Sequence, residues 1–179
     1  HLFYICLGFF LIIFFSLLGQ GNLIKVSFIC FVICLFFLIL VPIIGTEIKG
    51  SKRWLDFFFL PRFQPIELLK PFIIIAIASI LCSEKNNNIY SKYFLSLFII
   101  LPILFLLITQ PDIGQTLLVF LTWLSLVFTS GVNLVIFFVF FSVMIFFLLY
   151  LIFFIPKFSY ILLRLKSFFD PSSGNNYQS

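Results

Sequence analysis

Three short stretches gather the polar chemistry of this chain. The first, LLITQPDIGQTLL (Leu106–Leu118), sets Asp112 between Pro111 and Gly114 with almost purely apolar sequence on either side. The second, FQPIELLKPF, carries Gln64, Glu67 and Lys70. The third, KGSKRWLDFF, joins Lys52 and Arg53 to Trp54. An ionised carboxylate at membrane depth costs about 3 kcal/mol on insertion scales. Proline also removes a backbone donor that hydrocarbon cannot replace. Two roles fit Asp112. It caps a helix, accepting the N–H of Gly114 or Gln115, or it lines a cavity at a broken membrane segment. The two are compatible, because a capped helix N-terminus facing a cavity is itself an anion site.

Glu67 and Lys70 share one helix face at i, i+3. Pro65 suits the first helical position, and Pro71 interrupts the first turn again. The pair reads either as an interfacial ion pair that locks the helix end or as the wall of a polar pocket with Lys70 aimed at a phosphate. Lys52-Arg53-Trp54 reads either as plain attraction to anionic headgroups or as a phosphate clamp, since arginine binds such groups bidentately and tryptophan favours the headgroup level. No phosphate-binding glycine loop, metal-ligand cluster or Ser–His–Asp set occurs, and the sole histidine is His1. Of the four cysteines, Cys30 and Cys34 share a helix face without a third ligand beside them. Like Cys6 and Cys82, they read as small apolar packing residues.

The elements that must position these groups are membrane helices. The chain has 179 residues, 63% of them hydrophobic and 9% charged, whereas a soluble domain carries roughly 25% charged residues. No soluble core could hide this much apolar surface, so the solvent is lipid. Runs of about 20 apolar residues span a bilayer, and six candidates occur: Leu2–Leu18, Ile24–Ile44, Ile66–Leu81, Tyr93–Thr109, Gln115–Ser130 and Val132–Ile155. The fold class expected is an all-α polytopic membrane bundle, read as a single membrane domain over residues 1–179. A polar loop, residues 46–63, joins the second and third spans. A further stretch, Tyr160–Phe169, mixes aromatic, apolar and basic residues and suits a short helix on the membrane surface, ended by Asp170-Pro171. The chain opens on His1 with neither a basic n-region nor a cleavage site and closes on NNYQS. It reads as an internal segment of a longer membrane protein.

Six spans put Lys25, Lys85 and Lys92 on one side. The other side receives Lys49, Lys52, Arg53, Arg62, Lys157, Arg164 and Lys166. The positive-inside rule alone sends the second side to the cytoplasm. The rule fails where basic residues are kept outside to hold an anionic ligand.

The ordered series KGSKRWL, FQPIELLKPF, QPDIGQTLL and FFDPSSGNNYQS resembles the signatures of the SEDS family, the shape, elongation, division and sporulation proteins that polymerise peptidoglycan. The match runs from Lys49 to Ser179 and is nearer the division-type branch, in its alphaproteobacterial form, than the elongation type. Ser51 stands where the family usually has Ala, and Ile66 where it usually has Ser, which removes a hydroxyl beside Glu67. The resemblance implies a ten-helix fold of which these are the second to seventh helices. It implies a multi-pass protein of the bacterial inner membrane at the division septum. Residues 46–63, the Gln110–Gly114 break and residues 157–179, the start of a large loop, then face the periplasm, against the charge count. The implied reaction is polymerisation of lipid II: its sugar 4-hydroxyl attacks the anomeric carbon of a lipid-linked glycan, and undecaprenyl pyrophosphate leaves. The family's catalytic acid then lies beyond Ser179, so no catalytic residue is assigned here. Lys52, Arg53, Gln64, Glu67, Lys70 and Asp112 are the substrate-binding candidates, without a metal ligand among them. No cofactor is assigned, with room left for a divalent cation. Lipid II, the lipid-linked glycan, the membrane, a class B penicillin-binding transpeptidase and other divisome proteins are the implied partners, and nucleic acid is not. The alternative is a transporter of lipid or solute, because broken helices with intramembrane charges also mark transporters. A recruiting scaffold is a weaker third reading.

Overall fold

The computed structural model describes residues 2–48, 51–57, 60–83 and 88–158. In chain order these form α1 (Leu2–Leu17), α2 (Gln20–Ile44), β1 (Thr46–Ile48), β2 (Ser51–Phe57), β3 (Leu60–Phe63), α3 (Pro65–Leu81), α4 (Ile89–Thr109), α5 (Ile113–Thr129) and α6 (Leu134–Phe154), then a 3-10 turn, Pro156–Phe158. Every expected span is a helix. α2 starts at Gln20 rather than Ile24, and α4 at Ile89 rather than Tyr93. At α4 the reason is a cap: the Asn88 side chain accepts the Tyr90 N–H at 3.2 Å, which lets the helix start among polar residues. The surface helix expected over Tyr160–Phe169 lies outside the described residues.

α2, α4 and α6 are long and apolar enough to cross a membrane. The 17-residue α5 is about 26 Å long at 1.5 Å per residue, short of a hydrocarbon core about 30 Å thick. Phe36, Phe98 and Phe105 are among many large apolar side chains left exposed, which is the surface that lipid requires. The fold is an all-α, multi-pass membrane one.

The helices divide into two units, His1–Leu126 and Val127–Ser179. In the first, Phe31, Cys34, Leu38 and Val41 form a buried stripe on α2, and Ile66, Leu69, Ile73 and Ile77 form one on α3. Both have the three-to-four-residue spacing of a helix face, and α2 packs along α3. α4 and α5 share a buried polar link: the Trp123 indole donates to Ser96 Oγ at 3.1 Å, and Ser96 Oγ donates to the Tyr93 carbonyl at 2.9 Å. In the second unit the chain turns at Gly131, whose φ of +87° favours glycine. The Asn133 side chain then caps α6 by accepting the Val135 N–H at 2.9 Å.

Residues 46–63 are not the plain loop expected. β1, β2 and β3 form an antiparallel meander, with Glu47 opposite Lys52 and Leu55 opposite Phe63. Gly45 makes the turn from α2 into β1. Its N–H donates to the Val41 carbonyl at 2.8 Å, and a Cβ there would collide with that same oxygen. Neighbours along a strand face opposite ways, so β2 presents two different faces. Leu55 is buried and Arg53 half-buried, while Lys52 and Asp56 are exposed.

Candidate functional site

The interruption between α4 and α5 builds the centre of the site. α4 closes with the Gln110 N–H on the Leu106 carbonyl at 3.2 Å and the Asp112 N–H on the Leu107 carbonyl at 3.0 Å. Pro111 between them has no N–H to give. Asp112 then starts α5. Its carbonyl accepts the Thr116 N–H at 2.9 Å and the Thr116 hydroxyl at 2.7 Å. Its Oδ1 accepts the Gln115 N–H at 3.4 Å. Asp112 is therefore the helix cap that its setting between Pro111 and Gly114 suggests, and it is 6% exposed.

Two other elements converge on this cap. From β2, Arg53 donates through Nη2 to the Pro111 carbonyl at 2.6 Å and through Nε to the Gln110 carbonyl at 3.4 Å. The same Nε lies 3.5 Å from Asp112 Oδ2. One guanidinium thus satisfies carbonyls that a helix end leaves without partners and stands against the buried carboxylate. From the residue preceding α3, Gln64 donates to Asp112 Oδ2 at 3.1 Å. Gln110 reaches the other way, to the Leu38 carbonyl of α2 at 3.4 Å.

A second pair stands beside the first. Lys70 Nζ lies 2.5 Å from Glu67 Oε2, and Gln115 Nε2 donates to Glu67 Oε1 at 2.6 Å. Gln115 therefore joins the two carboxylate centres: its backbone caps through Asp112, and its side chain holds Glu67. Its Oε1 is buried without a partner among the described residues. Each carboxylate has a cation beside it, and lysine offers three donors, so Lys70 can turn toward an anion while Gln115 keeps Glu67 in place. This arrangement positions and holds charge. It presents no nucleophile beside a base, and among the described residues there is no group of three or more His, Cys, Asp or Glu side chains that fits a metal ion.

Of the candidates from sequence, Arg53, Gln64 and Asp112 meet directly, and Glu67 and Lys70 join them through Gln115. Lys52 does not join. It follows Ser51 on β2 and faces away from the side that Arg53 takes, because adjacent strand residues alternate. Gln110 and Gln115 are not among the site candidates from sequence, although both are polar and flank Asp112 in a run that is otherwise apolar. That excess polarity is the signal that could have found them.

Comparison with known proteins agrees with the motifs. The FtsW/RodA/SpoVE family model, described as a cell cycle protein, matches residues 1–179. The probable peptidoglycan glycosyltransferase FtsW of Buchnera aphidicola subsp. Acyrthosiphon pisum is 34% identical over 86% of this chain and 39% of its own length. That of Wigglesworthia glossinidia brevipalpis is 36% identical over 75% of this chain and 35% of its own. The chain thus spans less than half the length of these relatives. Among solved structures, Thermus thermophilus rod shape determining protein RodA superposes with a TM-score of 0.62 at 31% identity, over 71% of this chain and 42% of that one. One chain from a study of how a peptidoglycan synthase complex coordinates polymerization and crosslinking gives a TM-score of 0.72 at 26% identity, over 93% of this chain and 50% of that one. Matched along its whole length, with FtsW proteins as the relatives described, the chain belongs to the FtsW/RodA/SpoVE family, the SEDS family that its four motifs resemble.

Proposed function

We propose that the protein containing this chain polymerises lipid II into glycan strands during septal wall synthesis. The 4-hydroxyl of one lipid II sugar attacks the anomeric carbon of a lipid-linked glycan. The new glycosidic C–O bond forms as the bond to pyrophosphate breaks, and undecaprenyl pyrophosphate leaves with the bonding pair. A general base takes the hydroxyl proton. None of the six candidate residues of this chain is assigned as that base.

This chain supplies the part that holds the substrate. The observation that carries the reading is the closed network around Asp112, in which Arg53, Gln64 and Gln115 fix the α4–α5 break against the start of α3. It holds Lys70 at the same helix entrance, half-buried and with donors to spare for a pyrophosphate. Lys52, exposed on the sheet, meets anionic groups from the other face of β2. The sheet and the break face the periplasm in this reading, in the inner membrane at the septum. The names of the relatives support the reaction. The synthase complex among the structural neighbours supports a class B penicillin-binding transpeptidase as partner, since crosslinking needs the strands that polymerisation makes.

The test is the intact protein with lipid II in proteoliposomes. Glycan strands, reduced by Lys70→Ala, are expected. Movement of lipid II across the bilayer without any glycan product would replace this reading with the transporter.

A further inference from the structure

At the other ends of α2 and α3, away from the sheet, a cavity of about 290 Å³ opens between the start of α2, the end of α3 and the start of α4. Its walls include Ile24 and Phe28 of α2 and Ala76 of α3, and Ser79, Ser83 and Lys92 are the polar residues among those lining it. Nothing in the Asp112 network uses these residues.

Lys92 is placed by a helix end. Its ammonium donates to the Leu81 carbonyl at 3.3 Å, where α3 leaves its last carbonyls open. Among the described residues this is its one hydrogen-bond partner, and an ammonium has three donors. The Ser79 hydroxyl bonds its own helix, on the Ile75 carbonyl at 2.7 Å, so it ties no other element across the cavity. No carboxylate lines the cavity among the described residues, and Lys25, next to Ile24, is exposed on the same side. Among the described residues the cavity is therefore apolar along its walls and cationic at the helix ends, where a membrane protein meets lipid headgroups.

We propose that this cavity binds an anionic phospholipid of the surrounding bilayer, with its phosphate at Lys92 and Ser83 and one acyl chain between Phe28 and Ala76. A zwitterionic lipid would bring a second cation toward Lys92 and Lys25. A free phosphate would leave the apolar walls unfilled. The proposal rests on the membrane reading of the chain and not on its reaction, so it stands or falls apart from the polymerase.

The test is native mass spectrometry of the intact protein released from nanodiscs of phosphatidylcholine and phosphatidylglycerol. The wild type retains phosphatidylglycerol in preference. Lys92→Gln lowers that preference about fivefold, the worth of one interfacial cation, and Lys92→Arg keeps it. Ser79→Phe, which fills the cavity, loses the bound lipid. Melting curves of all three variants show whether each is folded, and the Gln and Arg pair decides the matter if Ser79→Phe is not. Equal retention of the two lipids by the wild type, or a preference unchanged in Lys92→Gln, overturns the proposal.

Discussion

Asp112→Asn separates the two things Asp112 does. The amide keeps one oxygen, and that oxygen can still accept the Gln115 N–H. The other position becomes an NH₂ group facing Gln64 Nε2 at the former 3.1 Å and Arg53 Nε at 3.5 Å, so donors meet donors. Gln64 can rotate its amide to present oxygen, but Arg53 loses its counter-charge. Removing one member of a fully buried ion pair costs about 3–5 kcal/mol. Arg53 is softer than that limit, because its side chain is 27% exposed and it keeps the Gln110 and Pro111 carbonyls. A lost hydrogen bond to a charged group, about 1.5–3 kcal/mol, is the better measure, and the 3.5 Å separation places Asn at its lower end. Asp112→Ala removes the cap as well, a further 0.5–2 kcal/mol or so. Denaturant unfolding of the intact protein in detergent, beside lipid II polymerisation, reads both terms. The expected order of stability is wild type, Asn, Ala, with activity following stability. An Asn variant as stable as the wild type would show that the Arg53 pair contributes nothing. A stable Asn variant with no activity would place chemistry at Asp112 and refute the positioning role.

The Glu67–Lys70 pair is short, but the Glu67 side chain is 48% exposed, so a double-mutant cycle on stability should return no more than about 1 kcal/mol of coupling, while Lys70→Ala lowers polymerisation well beyond that. Gly45→Ala should destabilise by about 1–3 kcal/mol, the usual cost of overpacking, measured by unfolding, since the added carbon meets a backbone oxygen at the end of α2. Glu47→Cys in a protein otherwise free of cysteine should react with a membrane-impermeant thiol reagent in intact cells whose outer membrane is permeable. Labelling only after the inner membrane is opened would place the sheet in the cytoplasm.

The helices were legible because lipid leaves the chain little choice: an apolar run of that length satisfies its backbone as a helix. The cap at Asp112 was legible for the same local reason, a carboxylate between proline and glycine at the start of an apolar run. The sheet was hidden because β1 and β3 are only three and four residues long and the charges of Lys52, Arg53 and Asp56 masked the alternation of β2. That same alternation parted Lys52 from Arg53, which their adjacency in sequence had joined. The contacts that make the site are the least local of all: Arg53 and Pro111 are 58 residues apart, and Gln64 and Asp112 are 48 apart. Nothing in either stretch alone names its partner, whereas the i, i+3 pairing of Glu67 with Lys70 needs only the helix.

If the network around Asp112 holds the lipid-linked substrate through Lys70, binding of lipid II must depend on that ammonium. Binding to the intact protein, measured under conditions where no turnover occurs, tests this most directly. Lys70→Ala should weaken binding about tenfold or more, the value of a charge-assisted hydrogen bond, while Lys92→Gln, at the opposite end of the helices, leaves it unchanged. A Lys70→Ala protein that is folded and binds lipid II as tightly as the wild type would contradict the substrate-holding role.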